Sequence, residues 1–235
     1  MNTRDQIINQ VLVRNNRTTT DSFITDTSLS TWWRDAIIWA SSYKEWPFTE
    51  ARDASSTWSG TEKVEYTSFA PEFKTDSIRI MTIGDKRLQK LNFEDYLIFR
   101  EEQPTGDDRV FTDLNRTVYI NPYADVSGTL TVYGQEQVAI DMTDETGTTP
   151  FSTYDAEGNE AIYEKMSSYM KRREHLTQEA ELHDQRASAK LEEIWGRVKA
   201  RQALYQSHPD RGGMWRRIDV LRGRGVGDDL LENQF

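Results

Sequence analysis

The sequence predicts an α+β protein. N-terminal and C-terminal helices form a helical bundle, a mostly antiparallel β domain lies between them, and an extended C-terminal tail follows. Three observations carry this reading. Apolar residues recur at helical spacing before residue 46 and again from about 160 to 206. Between 63 and 138 the chain breaks into short β-branched and aromatic runs separated by turn residues. After His208-Pro209 it becomes rich in Gly and Arg. The boundaries expected are 1–50 with 155–207 for the helices, 51–141 for a β-sandwich or small barrel, 142–154 for a loop and 208–235 for the tail.

The first helix starts at a capping box, with Thr3 as N-cap and Gln6 three residues on, and its apolar face is Ile7, Ile8, Val11 and Leu12. The polar run NNRTTTDS (15–22) reads as a connection. A second helix spans about 28–45, with Leu29, Trp32, Trp33, Ala36, Ile37 and Ala40 at helical spacing and Trp39 and Tyr43 extending the aromatic face. Pro47 lacks an N–H and pushes Trp46 out of the helical region, so the helix should stop there. Trp46 and Phe48 flank the break and read as core side chains that plug it.

Strands are expected at KVEYT (63–67), SIRIMTI (77–83), KRLQKL (86–91), RVFTD (109–113), RTVYI (116–120) and TLTVYGQEQV (129–138). Gly84-Asp85 suits a two-residue II′ hairpin, Leu114-Asn115 reads as a second tight connection, and Asp125–Gly128 as a third turn. FEDYLIFR (93–100) reads as a short helix inside the β domain, and MTDETGTTPFSTYDAEGN (142–159) as a polar loop. In the last helical region Ile162, Met166, Tyr169 and Met170 form one strip and Leu191, Ile194, Trp195 and Val198 another. The polar stretch between them fits either one long helix or two antiparallel helices with a turn near Glu174.

Composition limits the function. The chain has 235 residues, of which 36% are hydrophobic and 11% aromatic, enough to bury real cores. It contains no cysteine, which excludes disulfides, thiolate metal sites and a Cys nucleophile. The start MNTRDQIINQ lacks the layout of a signal peptide, and no apolar run approaches bilayer length, so a protein made in the cytoplasm without membrane contact is expected. The net charge of −10 is held unevenly, about −12 over residues 1–170 and about +2 after them. Such an acidic body is a poor grip on DNA, because phosphate affinity comes largely from Lys and Arg.

Catalytic patterns are scarce. There is no GxxxxGK[ST], GxGxxG or GxSxG. His175, Glu179 and His183 share a helical face, but the histidines would lie about 12 Å apart along a straight helix, too far for one ion. HPDRG (208–212) matches the HPD tripeptide of J-domain co-chaperones outside its helical context and reads as chance. Neither an enzymatic activity, nor a catalytic residue, nor a metal or other cofactor is expected. The tail is the better site: Trp215, Ile218, Val220 and Leu221 stand among Arg211, Arg216, Arg217, Arg222 and Arg224, and Trp and Arg dominate interface hot spots.

Several pieces then occur in a telling order. They are the capped helix TRDQIINQVLVR, the break Trp46-Pro47-Phe48, the step Ala70-Pro71-Glu72-Phe73, the strand and proline Val118-Tyr119-Ile120-Asn121-Pro122, the strand LTVYGQEQ, and Thr149-Pro150 before the last helices. In that order, over nearly the whole chain, the sequence resembles the head-to-tail adaptor (connector) proteins of tailed bacteriophages. The resemblance implies a virion protein at the head–tail interface, in a homo-oligomeric ring, usually of twelve copies, seated under the portal. The C-terminal segment would bind the portal protein through the tail residues just named. The β domain would face the next tail component, whether nozzle, stopper or tube protein. DNA would pass through the lumen without sequence-specific binding, repelled by acidic walls. In that setting Trp32, Trp33, Trp39 and Tyr43 exceed what a two-helix layer needs internally and are candidates for the subunit interface, and Trp46, Pro47 and Phe48 become a structural elbow. The alternative is a tail completion or tail-tube protein that binds through its β domain.

Overall fold

The computed structural model describes residues 3–18, 24–58, 60–103, 109–121 and 128–206, with 202–206 as backbone only. The protein is mixed α+β and divides into two compact units. One is Met1–Phe48 with Val138–Ser207; the other, among the described residues, is Thr49–Gln137. The tail expected at 208–235 and most of the turn at 125–128 lie outside the described residues.

In the helical unit, α1 (Arg4–Arg14) opens on the capping box read from the sequence: Thr3 accepts from the Gln6 N–H, and the Gln6 side chain accepts from the Thr3 N–H. α2 (Asp26–Ser42) starts earlier than its apolar repeat suggests, because Thr25 caps it by accepting from the Ser28 N–H at 3.2 Å. It also ends earlier, at Ser42 rather than 45. Pro47 bars helix at Trp46, and the Trp46 indole N–H donates to the Ala40 carbonyl at 2.8 Å, taking an acceptor of the last turn.

The segment expected as a loop carries a short helix, α4 (Pro150–Tyr154). Thr149 caps it, proline stands in its first turn, where no N–H is needed, and Phe151 is fully buried. α5 (Gly158–Arg173) begins where the Phe151 ring lies so close that any Cβ at Gly158 would overlap it. α5 and α6 (Thr177–Gln206) are separate helices. His175 takes the left-handed conformation (φ 62°), the Leu176 N–H reaches the Lys171 carbonyl at 2.9 Å and the His175 N–H reaches Arg172 at 3.1 Å, which is a Schellman ending. α1 ends in the same way, with Asn16 at φ 52° and the Arg17 N–H on the Leu12 carbonyl at 2.8 Å. The two endings are linked, since Arg17 pairs with Glu174 at 2.7 Å, and the Asn15 amide donates to Ser167 Oγ at 2.9 Å.

These helices share one core. Ile7, Val11, Leu29, Trp33, Ile37, Ile162, Met166, Leu191 and Ile194 belong to it. Trp46 belongs to it too, with Phe151 and Trp195 edge-on at 5.4 and 5.5 Å and Phe48 stacked at 6.0 Å.

In the other unit the strands are β1 (Glu50–Trp58), β2 (Lys63–Glu65), β3 (Ile80–Ile83), β4 (Lys86–Lys90), β5 (Val110–Leu114), β6 (Thr117–Asn121) and β7 (Gly128–Gln135). They form one curled sheet in the order β1-β7-β3-β4-β5-β6-β2, where a sandwich or small barrel was expected. The continuous ladder leaves no second sheet among the described strands, and no ladder joins β1 to β2. Every pair is antiparallel except β4 and β5, which need a crossover; α3 (Phe93–Glu102), foreseen as a short helix, supplies it.

Gly84 turns the β3–β4 hairpin at φ 57°, as its place in a II′ turn requires. The β5–β6 turn is Asn115-Arg116, one residue later than read, with both residues at positive φ between the paired Leu114 and Thr117. β1 was not expected, because EARDASSTW has neither alternation nor a β-branched run. It pairs with β7 across a bulge at Asp53–Ser56, and Asp53 holds that bulge. This buried carboxylate accepts from the Ser55 N–H at 2.7 Å, the Ser55 hydroxyl at 2.6 Å and the Ala70 N–H at 3.2 Å. Burial alone would raise its pKa, but these donors outweigh it and hold the Asp53 carboxyl below the usual range.

Two outcomes are expected. Gly158→Ala should lower stability by about 1–3 kcal/mol in urea titrations, since the Phe151 ring must move. Asp53→Asn should cost on the order of 2 kcal/mol at neutral pH. With its folded pKa depressed, Asp53 contributes fully above about pH 4, and that contribution fades as pH falls through the lower folded value. The gap between Asp53→Asn and the parent should therefore narrow in acid; a gap independent of pH would contradict this role.

Candidate docking surface

The half-exposed aromatic face of α2 is the most developed surface of the helical unit. Trp32, Trp39 and Tyr43 are each partly buried and packed against the core. Trp39 and Tyr43 lie 5.5 Å apart, tilted at 58°. Cations from α5 cover this face. Lys165 Nζ sits 4.7 Å from the Trp39 ring centre and 5.2 Å from that of Tyr169, and Arg173 lies 6.0 Å over Trp32. Lys44 lies 5.1 Å over Tyr43.

Each of these cations is also held by an oxygen partner. Lys165 pairs with Asp184 of α6 at 2.8 Å, and Arg172 pairs with the same carboxylate. Lys44 pairs with Glu192 at 2.7 Å, and Arg173 donates to Ser28 Oγ at 2.9 Å. Burial leads the forces on Asp184 and opposes ionisation, but hydrogen bonds and these cations prevail and its pKa is lowered. Burial, with Asp35 and Asp184 nearby, raises the Tyr169 phenol. The face is therefore a set of aromatic planes under cations fixed by oxygen partners, suited to packing against protein.

Trp33, expected with the interface residues, is a correction. It is 2% exposed and lies in the chain's own core, because its position on α2 matches the inward row of Leu29, Ala36, Ile37 and Ala40. Trp46 is fully buried and Phe48 partly so, both in the helical unit, and the division between the units follows Phe48. Arg211, Trp215, Arg216, Arg217, Ile218, Val220, Leu221, Arg222 and Arg224 lie outside the described residues.

No group of three or more metal-ligating side chains is present among the described residues. His175 is in the α5–α6 turn rather than on a helix face, Glu179 pairs with Lys171 at 2.9 Å, and His183 Nδ1 lies 2.7 Å from Glu164. In the β unit, Asp113 joins Lys90 at 2.8 Å and accepts from the Tyr66 hydroxyl at 2.9 Å. Burial first and Asp113 second push the Tyr66 phenol far above its ordinary range, so it stays a neutral donor. No helix among the described residues is long and apolar enough to cross a membrane.

Sequence reasoning missed the face of α3. Only Tyr96 of that helix is buried, and Ile98 is 55% exposed. The available signal was a run, FEDYLIFR, that is apolar with no single stripe. Compared with protein-family models and with curated protein sequences, the chain matches none.

The division between core and surface tryptophans has a measurable consequence. Trp33→Ala should cost about 3–5 kcal/mol of stability. Trp39→Ala should cost on the order of 1 kcal/mol, the scale of a half-exposed ring and its cation–π contact. Equal losses in denaturant titrations would contradict the assignment.

Proposed function

We propose that the chain is a structural virion protein, a head-to-tail adaptor that forms a ring under the portal of a tailed bacteriophage and joins it to the tail. The ordered resemblance of its motifs supports the reading. The observation that carries it is the path of the chain among the described residues: a helical unit, a departure after Trp46-Pro47-Phe48, a β unit within Thr49–Gln137, and a return at Val138 to the helices. On this reading α1, α2, α5 and α6 act as a bundle, and twelve copies of it form the ring.

Neighbouring copies meet through the aromatic face of Trp32, Trp39 and Tyr43. Residues 46–48 are the elbow, and the β unit faces the next tail component. The tail residues from Arg211 to Arg224 bind the portal. DNA passes through the lumen, and the net charge of −10 keeps phosphates from adhering. No substrate is transformed.

Deletion of residues 209–235 should leave a folded protein that no longer binds portal rings in sedimentation or mass photometry. Retained binding would refute the tail's role. Trp39→Ala should leave the free protein folded while weakening copy-to-copy assembly on the portal.

A further inference from the structure

We propose that the outer face of α3 is a docking site for residues 211–224 of this same polypeptide. α3 carries Phe93, Tyr96, Leu97, Ile98 and Phe99, yet only Tyr96 is buried and none of the five belongs to either hydrophobic core. Ile98 stands out by 55% of its surface. The residues three and four positions from it along the helix are Glu94, Asp95, Glu101 and Glu102, all exposed. An apolar centre is thus ringed by four carboxylates. Glu101 and Glu102 lie in the last turn, where negative charge opposes the helix dipole, so helix stability does not account for them.

Other exposed apolar side chains among the described residues have different surroundings. Val13 adjoins Arg14 and Arg17, Leu176 follows Arg172 and Arg173 in the α5–α6 turn, Leu182 lies between Glu179 and Arg186, and Tyr133 has Arg52 over its ring at 5.7 Å. The α3 face therefore selects a segment that is both apolar and cationic. Residues 211–224 fit: Trp215, Ile218 and Leu221 stand among five arginines and one aspartate. The inference does not depend on the portal reading. If both hold, the segment cannot occupy α3 and the portal together, and portal contact must displace it.

The absence of native cysteine makes the full-length chain directly testable. Glu94→Cys with Arg217→Cys should form a disulfide at least about fivefold faster than the control pair Val13→Cys with Arg217→Cys. Adding Glu101→Lys and Glu102→Lys should slow it, and adding Arg222→Glu and Arg224→Glu to that background should restore it. All four positions on α1 and α3 are exposed, and circular dichroism checks that each variant folds. A cross-linked monomer places the segment on its own copy and supports the proposal; a cross-linked dimer places it on a second copy and overturns docking within one polypeptide. A rate equal to the control, or one indifferent to charge reversal, overturns it and leaves the face to another partner.

Discussion

The helical unit depends on the burial of one indole. Pro47 forbids the helix from continuing through Trp46, and Trp46 turns its N–H back to the Ala40 carbonyl. That contact ends α2 and brings the ring against Phe151 and Trp195. Phe151 in turn requires a residue without a side chain at Gly158, which is where α5 begins. A break in α2, the placement of α4 and the start of α5 thus follow from one side chain. Each ring contact contributes modestly, but together they join segments about 100 and about 150 residues apart in sequence.

Charge is arranged on the same principle of local satisfaction. The cations of α5 are held over rings and against carboxylates, and the linked ends of α1 and α5 place Arg17 on Glu174. Such pairs at a surface add little stability each. Their effect here is to fix orientation, so that the α2 face presents rings in set positions. The α3 face is built in the opposite manner, with carboxylates around an exposed isoleucine.

Much of the fold was legible from local signals. The Thr3 capping box, the Gly84 hairpin and the short helix at 93 depend on residues close in sequence, and periodicity or turn chemistry reports those directly. β1 was hidden because its strand character comes from pairing with β7 and from the buried Asp53, both tertiary effects. α4 was hidden because a polar run surrounds the one residue, Phe151, that anchors it. The β5–β6 turn moved by one residue because Arg116 adopts a left-handed conformation unusual for its type. At the candidate surface, the aromatic repeat of α2 was visible, but which tryptophan faces inward depended on packing that spacing alone left open.

The division of the chain also sets an order of birth. Among the described residues the β unit falls within Thr49–Gln137, between the two stretches of the helical unit. On a ribosome the sheet can close while α5 and α6 are still unmade, because domains fold as their residues emerge. α1 and α2 must meanwhile wait with Trp33 and Ile37 uncovered, making that nascent interval the time when a chaperone matters most.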